Sequence, residues 1–133
     1  MVLVTRHPAD GLTTAVNIAA SLLGAMYVLK RRGIGGGAST ALNFLASLHK
    51  AWHGRKVRGR LTIVTIIGDP GEYYKATYFN STWVDEKFVD EGGMKALRCW
   101  RKAITRAINI GSNFVREGLH VCSLGRDLKR PLY

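Results

Sequence analysis

Apolar residues recur along this chain in two rhythms. From Leu12 they fall at spacings of three and four, through Ala15, Val16, Ala19, Leu22 and Leu23, with Pro8 and Asp10 ahead of the run and Gly24 behind it. That is the period and punctuation of an amphipathic helix. Ala38, Ala41, Leu42, Leu45, Leu48 and Trp52 repeat the rhythm up to Gly54 and predict a second helix. Short runs of a different kind surround these two. Residues 2–5 and 61–67 are rich in β-branched side chains, and residues 25–29 form a compact apolar run. Each predicts a strand. Gly68-Asp69-Pro70-Gly71 supplies turn chemistry, and residues 74–84 alternate between two faces, which predicts a return strand. The order is β-α-β-α-β-β: an α/β (α+β two-layer) architecture, a mixed sheet with two helices on one face.

From Asp85 the chain is first acidic. Met94, Leu97, Ile104, Ala107, Ile108, Gly111, Phe114 and Val115 then follow a helical period, with Lys95, Arg98, Arg101, Lys102 and Arg106 on the other faces. The pattern predicts one long basic C-terminal helix, a short strand at 119–124 and a basic tail at 126–133. It divides the chain into a domain at 1–88 and a helical extension at 89–133.

Composition narrows the partner. Twenty Lys and Arg against nine Asp and Glu give a net charge of +11. Such a surplus favours polyanions, because cationic side chains release the counterions of a phosphate backbone. The charge is unevenly spread: +8 over residues 1–68, −4 over 69–93 and +7 over 94–133. The apolar stretch at 12–29 is interrupted by Thr13, Thr14, Asn17 and Ser21, so it does not predict a membrane span. A cytoplasmic protein without a membrane partner is expected. Cys99 and Cys122 are the two cysteines; small buried thiols are the expectation, and a single bridge stays open.

The residues and their order resemble the Alba family of archaeal chromatin proteins over residues 2–88. Val2-Leu3-Val4-Thr5-Arg6-His7-Pro8 matches the family's opening strand, and Lys30-Arg31-Arg32-Gly33 followed by Ala38-Ser39-Thr40-Ala41-Leu42-Asn43 matches its basic signature and second helix. The resemblance implies a homodimer, or a longer polymer, that coats and compacts double-stranded DNA with little sequence preference in a nucleoid. Related expectations are an RNA-binding relative on structured RNA in a processing particle, or a viral nucleocapsid protein in a virion. By the resemblance, Arg6, Lys30, Arg31 and Arg32 contact phosphates.

Other candidate nucleic-acid-binding residues follow from charge and position. Gly35 and Gly36 let the backbone approach an anion; the run at 33–37 lacks both the Walker and the dinucleotide spacing. Arg55, Lys56, Arg58 and Arg60 form a second basic cluster. Tyr73, Tyr74 and Lys75 stand at the expected hairpin tip, where an aromatic ring either inserts into a groove or stacks on a base, or packs on a neighbouring subunit. Arg98, Arg101 and Lys102, with Arg106, form a third cationic surface, expected to add phosphate contacts, clasp an adjacent dimer or lie across its own domain. His49 and His53 are four apart but lack a third ligand, so no metal site is implied. With no nucleophilic triad and no cofactor motif, the expectation is a non-catalytic protein.

Overall fold

A computed structural model describes residues 4–6, 13–15, 17–56 and 59–122, the first two stretches through their backbone pairing alone. The expected mixed sheet is absent from them. The described strands are β1 (Val4–Arg6) and β2 (Thr13–Ala15), a three-residue antiparallel ladder with Val4 opposite Ala15 and Arg6 opposite Thr13. β2 occupies the place expected for the first turns of a helix. The rest of the described chain is helical or irregular.

Helix α1 (Ile18–Arg31) begins where the Asn17 side-chain oxygen accepts from the Ala20 N–H at 3.0 Å, satisfying a donor that the first turn leaves free. It runs through Gly24 and takes in residues 25–29, where a strand is expected. Ala25, Met26, Val28 and Leu29 are all buried, and a helix buried on most sides reads as an unbroken apolar run that periodicity cannot tell from a core strand. Gly24 is a crossing point rather than a stop: a Cβ there would lie 2.8 Å from the Arg101 backbone nitrogen.

Helix α2 (Ala38–Gly54) coincides with the expected second helix. Beyond it residues 60–70 are exposed and form no ladder. The expected return strand at 74–84 is instead a 3-10 turn (Gly71–Tyr74), further turns, and helix α3 (Ser81–Lys87). Asn80 caps α3 by accepting from the Trp83 N–H at 3.1 Å. The alternating aromatics of this stretch pack on one another and on α1, with Tyr27 and Phe79 rings 5.4 Å apart and Tyr78 and Trp83 rings also 5.4 Å apart.

The expected single C-terminal helix is two, α4 (Gly93–Ile110) and α5 (Phe114–Cys122). Gly111 separates them in a left-handed conformation, φ 67°, its N–H donating to the Ala107 carbonyl; glycine enters that region without steric cost. As far as Cys122, the expected strand at 119–124 is the end of α5. The cysteines expected as thiols form a Cys99–Cys122 disulfide tying α4 to α5, with Cα atoms 5.6 Å apart.

Trp100, Leu97 and Ile104 of α4, Met26 of α1 and Val84 of α3 are the largest fully buried side chains. The core thus runs through the position expected to divide two domains. The Alba architecture needs a sheet to carry its helices, and here the core is built by α1 packing on α2 on one side and on α4 on the other. No described helix is long and apolar enough to cross a membrane.

Candidate functional site

Two features bring polar chemistry together. The first is a glycine-lined junction at the start of α2. Gly36 and Gly37 are buried beneath the segment that follows residue 67. A Cβ on Gly71 would lie 3.1 Å from the Gly36 nitrogen, and one on Gly37 would lie 2.5 Å from the Tyr74 ring. Only hydrogen side chains permit so close an approach. The Gly68 N–H donates to Thr40 Oγ1 at 2.9 Å, which seats the turn on α2. Tyr74 then donates its hydroxyl to Asp69 Oδ2 at 2.7 Å. That hydrogen bond, reinforced by the carboxylate's charge, raises the Tyr74 hydroxyl above its usual pKa of 10.0, since it favours the protonated form. The result is an exposed carboxylate held in place by a phenol on a glycine turn.

The second feature is a cationic groove of about 560 Å³ between the end of α1 and α4, lined by Arg31, Arg101, Lys102, Thr105, Arg106, Asn109 and Ile110. Arg106 also pairs through Nε with Glu117 Oε2 of α5 at 3.2 Å. Charge periodicity placed Arg101 and Lys102 on one helix, and packing brings Arg31 of another helix to them. Arg98 and Arg101 also lie close enough to the half-buried Tyr27 for their charges to oppose the raising of its pKa by burial.

The other candidate residues are dispersed. Lys30 has its ammonium 4.4 Å from the centre of the Phe79 ring. Arg55 stacks on Trp52, 3.7 Å from the ring centre, and donates to the Trp52 carbonyl at 2.7 Å. Arg32, Gly35, Lys56, Arg60, Tyr73 and Lys75 are exposed. Tyr74 is not at a hairpin tip but half-buried against Gly37 and Tyr78, its ring 5.4 Å from that of Tyr78. The side chain of Arg6, and the whole of Arg58, lie outside the described residues.

His49 and His53 face each other with Nε2 atoms 3.0 Å apart, and His49 Nδ1 lies 3.5 Å from Asn113 Nδ2. Burial first, then the charges of His53 and Lys50, lower the His49 pKa from 6.5. Among the described residues no three His, Cys, Asp or Glu side chains group as metal ligands. Sequence reasoning read the segment holding Asp69 as a turn and missed the carboxylate; its only signal was an acidic residue between two glycines.

No family model and no solved structure matches the chain. It is similar to a Caenorhabditis elegans protein named "Putative pyridoxal-phosphate dependent protein", 43% identical over 101 residues that make up 73% of this chain and 23% of that protein. The chain therefore spans about a quarter of the length of the relative it matches. An aligned stretch of 73% of 133 residues, about 97, contains roughly positions 37–97 wherever it begins. The similarity thus takes in α2, the exposed segment after it, Asp69 and Tyr74. Together with the helical fold, these comparisons overturn the resemblance to the Alba family.

Proposed function

We propose that this chain forms one side of a pyridoxal-phosphate site, with Asp69 as the group that meets the cofactor's ring nitrogen. The observation that supports it is the 43% identity to a protein named for that cofactor, over a stretch that includes the Asp69–Tyr74 pair. A carboxylate is the usual partner for a protonated pyridine nitrogen in such sites. The Tyr74 hydroxyl fixes the Asp69 carboxylate through one oxygen, Oδ2, and a carboxylate has acceptor sites to spare for a second donor. When bound, the cofactor supplies an electron sink that stabilises carbanions.

The fit is partial, and its limit is informative. A lysine that carries this cofactor is held desolvated, whereas every described lysine is exposed. The carrier lysine therefore belongs to polypeptide outside the described residues, as the relative's length, about three times that of this chain, allows. The chain holds and orients; it does not complete the chemistry by itself.

Titrating the purified chain with pyridoxal phosphate and with its analogue in which carbon replaces the ring nitrogen tests the reading. The analogue and the Asp69→Ala variant should each bind about 10–100-fold more weakly, the worth of one charge-assisted hydrogen bond. Equal binding of cofactor and analogue, or no binding of either, refutes it.

A second reading is supported by the groove. Arg31, Arg101 and Lys102, with Arg106 beside them, form a compact cationic surface with no acidic residue among its lining, suited to the phosphates of a nucleic acid. Its log-log salt slope would be about −0.9 per phosphate neutralised. Replacing all three by Ala should flatten that slope by about 2–3, and an unchanged slope removes the reading.

A further inference from the structure

Residues 61–67, Leu-Thr-Ile-Val-Thr-Ile-Ile, carry the densest β-branched run in the chain. Their large apolar side chains stand in water: Leu61 is 54% exposed, Ile63 37%, Val64 89%, Ile66 73% and Ile67 58%. Exposed apolar side chains scattered singly are ordinary, but five within seven residues mark a surface made to be covered.

The segment already has the course of a strand. It starts where Leu61 packs on Gly54 at the end of α2 and finishes where Gly68 bonds to Thr40 in the first turn of that helix. Fourteen helical residues advance about 21 Å, and seven extended ones cover about 23 Å. The segment therefore lies straight and antiparallel along α2. Its exposure alternates as a strand's would: the odd-numbered Leu61, Ile63 and Ile67 are less exposed than Val64 and Ile66. One face is turned to the helix and the other is bare. Among the described residues the backbone of 61–67 has one hydrogen bond, from Asn43 Nδ2 to the Ile66 carbonyl at 3.1 Å.

We infer that residues 61–67 are an interior strand whose sheet comes from polypeptide outside this chain, pairing along both of its edges. A segment apolar on both faces is the pattern of a strand covered on both sides, as in sheets flanked by helices; α2 supplies the cover on one side. A second copy of this chain is a poor occupant, because an isologous pair joins one edge of each copy and leaves the other edges open. The relative supplies the alternative. Positions 61–67 fall inside the matched stretch, and in that protein the match is joined to three times as much further chain. The partner is thus an incomplete sheet, with one strand for each edge of 61–67 and an apolar face toward it, within the remaining three quarters of such a protein. The inference uses the length of the relative and not its cofactor.

Amide hydrogen exchange read by mass spectrometry tests it on two proteins: this chain alone, and the C. elegans relative with its matched quarter replaced by this chain. In the chain alone, the amides of 61–67 should exchange at open-chain rates whatever the protein concentration. In the hybrid they should slow at least 100-fold, and Val64→Pro, which deletes a ladder donor, should abolish that slowing while leaving the helices of the isolated chain protected. Should the hybrid not fold, the intact relative is read at its aligned positions. Fast exchange of the segment in a folded hybrid or in the intact relative overturns the inference. So does protection in the isolated chain that grows with concentration, which assigns the segment to a second copy. Slow exchange in a hybrid that binds no pyridoxal phosphate upholds the strand and sinks only the cofactor reading.

Discussion

Gly118→Ala sets two effects of known size against each other at the contact between α4 and α5. Gly118 is buried in α5, and a methyl placed on it would overlap the six-membered ring of Trp100. Ala gains about 1 kcal/mol over Gly in a helix interior, so on local grounds the substitution stabilises. Overpacking a core costs about 1–3 kcal/mol, and the upper part of that range applies here. Trp100 is only 1% exposed, so its ring cannot swing aside into solvent, and α5 cannot lift away because the Cys99–Cys122 bridge holds its last residue to α4. The net expectation is a loss of about 1–2 kcal/mol, and at about 4 °C per kcal/mol a melting temperature lower by about 4–8 °C. Urea unfolding of a double-mutant cycle isolates the cause. Combined with Trp100→Phe, which removes part of the ring, Gly118→Ala should cost at least 1 kcal/mol less than it does alone. Gly111→Ala is the control. It strains a φ of 67° but meets nothing within 4 Å, so its cost of about 1 kcal/mol should add to that of Trp100→Phe without coupling. An unchanged or raised melting temperature for Gly118→Ala, or strict additivity with Trp100→Phe, refutes the reasoning.

The histidine pair and the disulfide give further expectations. Folding lowers the pKa of His49, chiefly by burial, so the folded state resists its protonation. The stability this provides is complete above the unfolded value of 6.5 and is lost as pH falls through the lower folded value. Urea midpoints should drop below pH 6.5, and His49→Gln should flatten that part of the profile; a variant with the native slope contradicts the assignment. The Cys99–Cys122 bridge closes a loop of 23-residue separation, for which chain entropy gives about 3 kcal/mol. Cys99→Ser should therefore lower the unfolding free energy by about that amount, measured under oxidising conditions. A loss under 1 kcal/mol would show that the loop is already restrained in the unfolded chain.

What the sequence disclosed divides along a physical line. α2 was legible because its apolar positions form one stripe, its other face is wet, and Gly54 ends it. The second half of α1 was not, because Ala25, Met26, Val28 and Leu29 are buried around most of the helix and burial on all sides erases the period. Gly24 read as punctuation, yet its missing side chain serves the passage of α4 at Trp100 and Arg101, a reason that exists only in three dimensions. The cationic groove was half legible: charge periodicity selected Arg101 and Lys102, but nothing local announces that Arg31 meets them. The Asp69–Tyr74 hydrogen bond was hidden by a mistaken strand, since an extended course from Tyr74 onward would have carried the ring away from the turn that instead bends back over Gly37.

The misreading of the architecture and the exposed segment at 61–67 have one origin. A helix satisfies its backbone within itself, so any stretch with the right stripe and caps closes once a neighbour covers it, and α1, α2 and α4 do this for one another. A strand has no such autonomy: its donors and acceptors are met only by another strand. The composition of 61–67 favours a strand as that of α2 favours a helix, but among the described residues no sheet forms around it, so the expected mixed sheet fails. Residues 74–84 alternate as a partner strand would, but Asn80 caps a helix there and Phe79 packs on Tyr27 of α1. That leaves the segment laid along α2 with its far face bare. Propensity at 61–67 is that of a strand, but propensity cannot contain the location of a partner, and among the described residues none pairs with it; on the inference that 61–67 is an interior strand, that partner is the remainder of a longer protein.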